Sequence, residues 1–293
     1  MEKQFYGIDV SKWQGNIDWQ KVKASGVQFA MLRAGYGRFA GQADETFEKN
    51  YQAASSAGIS VGAYHYSYAK TVEQAKAEAV YCLSLIKGKT FAFPICYDVE
   101  DDVQKDLTKD EISDIITAFC ETLENAGYYV SVYMNLHWLN TKVREDIFEK
   151  YDIWLAHWTQ KTTFARDYGL WQYSSNGTVD GITGRVDLDY AYKNYPAIMA
   201  ANGLNGYKKP SAPTAPSTPA VGFPAKMMVT LQNTPLYVSA TAKTPAARKS
   251  GTFYIYDGKE INGRYRITSS PERAGKTPVG ENVTGYVDKT DLR

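Results

Sequence analysis

Cysteine and histidine are both scarce, three of each in 293 residues. Cys82, Cys96 and Cys120 are an odd number, far apart, each among apolar neighbours. That excludes a disulfide scaffold and predicts buried free thiols from a reducing compartment. His65, His137 and His157 show no Cys/His ligand spacing, so each is expected to be a packed or surface histidine. Long apolar runs are absent: no stretch approaches about eighteen uncharged apolar residues, so no membrane span is expected. The opening MEKQFYGIDVSKWQG has no apolar signal core, and synthesis in the cytoplasm is the expectation. The net charge of +1 speaks against a dedicated nucleic-acid binder.

What is present is a core and a division. Hydrophobic residues make up 44% of the chain, and its length suits two domains. Five of the 11 prolines fall in YKKPSAPTAPSTPAVGFP, residues 207–224, which has no hydrophobic period. Such a Pro/Ala/Ser/Thr run is a solvated, semi-extended spacer. Residues 1–207 carry 20 Lys and Arg against 26 Asp and Glu, a net of −6. Residues 223–293 carry 11 against 6, a net of +5. The expected organisation is an acidic domain over 1–206, a linker over 207–224 and a small basic domain over 225–293.

The large part alternates. Strand-like runs occupy 5–10, 28–35, 59–68, 91–100, 128–134, 152–158, 169–173 and 185–190. Helical stretches separate the first five. One opens at Thr71 and stops at Gly88. Another has Thr108 as N-cap, Glu111 in the capping-box position and Gly127 as its stop. Eight strands with helical crossovers that shorten toward the end predict an α/β class, an irregular TIM-like barrel.

Active sites of such barrels lie at the C-terminal ends of the strands. Acids gather there in this chain: Asp9 on the first run, Asp98 and Glu100 on the fourth, Asp187 and Asp189 on the last. Residues two apart on a strand share a face, roughly 6.6 Å apart along the backbone. Asp98 and Glu100 can therefore point into one cavity, the equipment of a glycosidase: one carboxyl protonated, one ionised. A metal site from Asp98, Glu100, Asp187, Asp189 and His157 ranks well below, because no metal-loop spacing appears. Asp101 and Asp102 read as solvated loop acids. Cys96 is expected to turn away from the face of Asp98, as a core thiol. The aromatics Tyr64, Tyr66, Tyr133, Trp154, Trp158, Trp171 and Tyr173 lie on or beside strand ends, and as a set they resemble a platform for sugar rings. Tyr64, Tyr66, Tyr133, Trp154 and Trp171 are the candidate substrate-binding residues.

GIDVSKWQGNIDW, DVE on the fourth strand, YDIWLAHW and LWQYSSNGTVDGITGRVDLDY stand in this order over roughly residues 4–195. Together they resemble glycoside hydrolase family 25, the lysozymes of Chalaropsis type that include many phage endolysins. The resemblance implies a barrel of five β/α units plus three further strands. It implies cleavage of the β-1,4 bond between N-acetylmuramic acid and N-acetylglucosamine in peptidoglycan, with no cofactor. Glu100 matches the general acid, Asp98 its partner in the D-x-E motif, and Asp9 and Asp187 the other acids of the cleft. Many relatives have Asn where this chain has Asp189. The D-x-E spacing also resembles families in which the substrate's own N-acetyl oxygen attacks, with the Asp orienting it; direct attack by Asp98 and activation of water by it are the alternatives. The expected protein is a bacterial-cytoplasm product released through a phage holin. An inactive wall-binding protein and a chitinase-like glycosidase are the alternatives.

Residues 226–293 hold short β-rich runs, with YDGKEINGRYRI reading as two strands joined through Asn and Gly. They resemble the bacterial Src-homology-3-like modules that follow catalytic domains in cell-wall hydrolases. A wall-binding small all-β barrel is expected, its charge suited to anionic polymers.

Overall fold

The computed structural model describes residues 5–209 and 222–292. The chain forms two compact units, Met1–Ser211 and Ala212–Arg293. Most of the expected linker, 210–221, lies outside the described residues. Tyr207 packs against the barrel of the first unit, and Phe223 packs on Tyr265 of the second.

In the first unit eight strands close a barrel: β1 Phe5–Val10, β2 Phe29–Tyr36, β3 Ser60–Tyr66, β4 Ile95–Asp98, β5 Val130–Asn135, β6 Asp152–Ala156, β7 Leu170–Gly177 and β8 Val186–Ala191. Helices cross between the first six: Trp19–Ala24, Phe47–Ser56, Val72–Ile86, Lys109–Asn125, then the short pair Leu136–Thr141 and Glu145–Lys150. β6 and β7 are parallel neighbours joined without a helix, and β8 runs antiparallel to both β7 and β1. This is the five-unit-plus-three-strand barrel the resemblance implies.

Local sequence accounts for most of this. The expected capping box is formed, with Thr108 Oγ1 accepting from Glu111 N and Glu111 accepting from Thr108 N. Thr71 caps its helix through Gln74 N. Ile112, Ile115, Ile116, Phe119 and Leu123 are buried along one face of Lys109–Asn125. The fourth run begins later than expected, at Ile95 rather than Phe91. Pro94 offers no N–H to a ladder, and Phe91 donates instead to Asn205 O.

Side chains alternate between a layer under the helices and the barrel interior. Ile8, Val10, Ala30, Leu32 and Val132 belong to the outer layer. Phe29, Met31, Phe93, Cys96, Trp154 and Leu170 fill the interior. Inner-face glycines make room for the largest of these: a Cβ on Gly7 would collide with the Phe29 ring, and one on Gly62 with Met31 and Phe93. Cys96 shares the inner face with Asp98, contrary to the expectation, because positions two apart point the same way. It is a core thiol all the same. All three cysteines are free and buried.

The second unit is one antiparallel sheet in the order β12-β11-β10-β9: β9 Met228–Leu236, β10 Ala247–Ile261, β11 Arg264–Thr268 and β12 Gly285–Asp288. Asn262 and Gly263, both at positive φ, make the two-residue turn of the expected hairpin. Tyr237 bridges to Tyr286, so the sheet curls its ends together over Val229, Leu231, Phe253, Ile255, Ile267 and Val287. Among the described residues, no helix is long and apolar enough to cross a membrane.

Candidate active site

Each strand of the barrel delivers one inward side chain to the mouth. Asp9, Arg33, Tyr64, Asp98, Tyr133, Trp154, Gln172 and Asp187 come from β1 to β8 in turn and line one cavity of about 190 Å³. Tyr66, Glu100, Ser11, Trp13 and Gln14 complete its wall. Register sets the ring: Tyr66 pairs with Asp98, Asp98 with Tyr133, Tyr133 with Trp154, and Asp9 with Asp187. Asp187 reaches this rim because β8 is antiparallel, so its start, not its end, stands at the mouth.

Loops fix the remaining groups. Ser11 accepts from Trp13 N and closes a reciprocal cap with Gln14, a single turn that holds Trp13 on the rim, 76% exposed. The loop after β4 carries Glu100 and is tied down on both sides. Buried Gln104 donates to Ser67 Oγ and Ala69 O at the exit of β3. Asp101 accepts from Tyr66 OH at 3.0 Å and from Val103 N. Asp101 is therefore a structural acid rather than the solvated one expected, whereas Asp102 is exposed.

Gln172 is the hub of the floor. Its Nε2 donates to Asp9 Oδ2 at 2.7 Å, and its Oε1 accepts from Tyr133 OH and Trp158 Nε1. Arg33 is the one cation among the described residues lining the cavity. Asp44 pins it at 2.8 Å, and Asp44 is held in turn by Lys12 N and Thr46.

Five carboxyls crowd this mouth: Asp9, Asp98, Glu100, Asp187 and the buried Asp189. Two like charges about 4 Å apart repel by about 4 kcal/mol at an effective dielectric of about 20. They therefore hold their protons to higher pH than free carboxyls do. Burial, then the charge of Asp187, pushes Glu100 up to about 7. Burial and Glu100 push Asp98 well above the usual carboxylate range, and Arg33 opposes the rise. Asp98 Oδ1 is buried with no hydrogen-bond partner. Burial, with Asp189 and Asp187, raises Asp9, and burial pushes Asp187 up to about 6.

Of the nine expected site residues, eight line the cavity. Trp171 does not. It sits on the outer face of β7, its Nε1 donating to His157 O, beside a separate groove shared with Trp158, Tyr173 and Tyr190. Parity decides this: Gln172 points in, so Trp171 points out. Trp154 is almost fully buried and serves as floor rather than platform. Arg33, Gln172 and Trp13 are cavity residues the sequence reading left out. A lone Arg in the apolar run AMLRAG and a Gln inside GLWQY were the available signals, since such groups are rarely buried without a task.

A closed β/α barrel with an acid-lined C-terminal mouth and one guanidinium is the architecture of a glycoside-cleaving barrel. The chain belongs to glycosyl hydrolases family 25, whose sequence model matches residues 8–182. It is 30% identical over 184 residues to the autolytic lysozyme of Clostridium acetobutylicum, a match covering 62% of this chain and 54% of that protein. The chain thus spans about half the length of that relative. Among solved structures it resembles the CTP1L endolysin at 25% identity and a TM-score of 0.59, covering 67% of this chain and 69% of that one. It also resembles the modular autolysin LytC from Streptococcus pneumoniae, solved in complex with synthetic peptidoglycan ligand, at 31% identity and 0.58, over 64% and 46% of the two chains.

Proposed function

We propose that the protein is a lysozyme-type peptidoglycan hydrolase, an N-acetylmuramidase that cleaves the β-1,4 bond between N-acetylmuramic acid and N-acetylglucosamine. The observation carrying this reading is the pair Asp98 and Glu100, opening into one cavity with charged neighbours of opposite effect. Asp187 and Asp101 favour a proton on Glu100, and Arg33 favours charge on Asp98.

Glu100 gives its proton to the leaving glycosidic oxygen as the bond to the anomeric carbon breaks. Asp98, ionised beside Arg33, orients the neighbouring N-acetyl group, whose carbonyl oxygen attacks that carbon. Water then opens the cyclic intermediate and returns a proton to Glu100. Asp9 and Asp187 hold the cleft side of the sugar. Tyr64, Tyr66 and Tyr133 line the saccharide subsite, and exposed Trp13 offers its rim a stacking face. Incubation with purified walls and analysis of the released sugars tests this. New muramic-acid reducing ends support it. Tight binding with no new ends, or cleavage of chitin oligomers in preference, would overturn it.

The likeness to CTP1L and the free, buried cysteines support an endolysin role, with synthesis in a bacterial cytoplasm and release through a phage holin. The curled basic sheet is read as a Src-homology-3-like wall-binding module. Tethering it to the barrel would raise the local enzyme concentration on an insoluble substrate. Co-sedimentation with walls tests the module: the full chain should pellet and a chain ending at residue 209 should remain largely in solution. Equal pelleting would remove the targeting role.

A further inference from the structure

Asp189 has no part in the chemistry above, yet it is completely buried. It stands on the inner face of β8, opposite Gly7 of β1 and Gln172 of β7. Trp154 Nε1 donates to its Oδ1 at 2.8 Å, and its Oδ2 has no hydrogen-bond donor. The group within hydrogen-bonding reach is the carboxyl of Asp9. Asp9, buried but lining the cavity, takes its own donated hydrogen bond from Gln172 on Oδ2. Two ionised carboxylates cannot bond to each other, because neither has a hydrogen to give. Arg33, the one cation among the described residues lining the cavity, is bound to Asp44 and acts on Asp98 rather than on this pair. Within electrostatic reach of Asp189 are Asp9 and Tyr6 from β1, Trp154 from β6, Tyr173 from β7, and Asp187 of its own strand. None of these is positively charged.

We infer that Asp9 and Asp189 hold a single proton between them, and that Asp189 is a positioning residue that acts on the cavity through Asp9. The shared proton bonds the two carboxyls across the β1–β8 seam and limits them to one negative charge. With Gln172 on the other side, it leaves Asp9 one fixed orientation toward the cavity. Burial and the charge of Asp187 resist its loss, holding Asp189 up to about 8.

The proton can be counted without substrate. Both acids are ionised in the unfolded chain above about pH 5. A proton held only by the folded chain lowers the folding constant about tenfold for each pH unit of rise. Asp189→Asn supplies a permanent N–H in place of the shared proton, so that Asp9 ionises. In urea unfolding between about pH 5 and pH 7, both chains carry Asp187→Asn, because Asp187 titrates at about 6 and bonds to Asp9. The folding constant of the chain with Asp189 divided by that of the Asp189→Asn chain should then fall about tenfold per unit, since Glu100 and Asp98 titrate in both chains and cancel. A flat ratio would overturn the inference. Asp9→Asn should remove the same dependence from the other side, and the double variant should remove no more than either single one. Dependences that add would mean two separate protons and would overturn the sharing.

The kinetic arm rests on the lysozyme reading; the unfolding arm does not, so the two can fail separately. Asp189→Leu, which can neither hold nor donate a proton, should lower kcat by about ten- to a hundredfold, the usual worth of an orienting partner. Asp189→Asn should recover most of that loss. Equal loss in both variants would refute positioning through a hydrogen bond.

Discussion

Glu100→Gln is expected to move activity and stability in opposite directions. The amide keeps the shape of the carboxyl but cannot deliver its proton, so wall cleavage should slow by about 10²–10⁴-fold. Stability follows from the environment of the group. Its carboxyl is held up to about 7 in the folded chain against an ordinary 4.5. Below about pH 4.5 it is protonated in both states and contributes no difference. As pH rises toward 7, the unfolded chain ionises while the folded chain does not, and wild-type stability is lost. Above about 7 the loss levels off at about 3 kcal/mol. The amide variant, with nothing to ionise at this position, escapes that loss. Because Asp98 and Asp187 titrate alongside Glu100, about 3 kcal/mol is the upper bound for the gain. Urea unfolding of both proteins should therefore give nearly equal stabilities at pH 4.5 and a more stable variant at pH 8. A variant weaker than wild type at pH 8, or one that cleaves walls at wild-type speed, would refute the reasoning.

Three further outcomes follow from the same site. The rate on walls should fall as pH rises through about 7, where Glu100 loses its proton, and its acid limb should lie above the usual Asp range because burial and Glu100 raise Asp98; a flat rate from pH 6 to 9 would contradict this. Arg33→Met removes the cation beside Asp98, so the acid limb should move higher, and it leaves buried Asp44 without its ion partner at a cost of about 3 kcal/mol in urea unfolding. Trp158, 62% exposed and bonded to Gln172, should matter to glycan binding more than Trp171, so Trp158→Ala should weaken binding of a soluble wall fragment in calorimetry while Trp171→Phe leaves it near wild type.

Near-neighbour chemistry made much of this protein legible in the chain. Thr108 with Glu111, Thr71, and the turn at Asn262 and Gly263 are decided within a few residues, because caps and tight turns satisfy backbone groups locally. The D-x-E spacing likewise led to the expectation of Asp98 and Glu100 at one cavity, and both line it, although β4 ends at Asp98 and the loop after it, not the pleat, carries Glu100. Which face of a strand becomes the interior is different. It depends on how the barrel closes, which is why Trp171 fell outside while Gln172 became the hub of the floor. The same closure reversed β8 and brought Asp187 and Asp189 against Asp9, about 180 residues earlier in the chain. It also set Arg33 beside Asp98. Ionisation at the mouth is a sum over burial and charge from every strand. No local window of sequence contains that sum, so the protons on these carboxyls are assigned only once the barrel is closed.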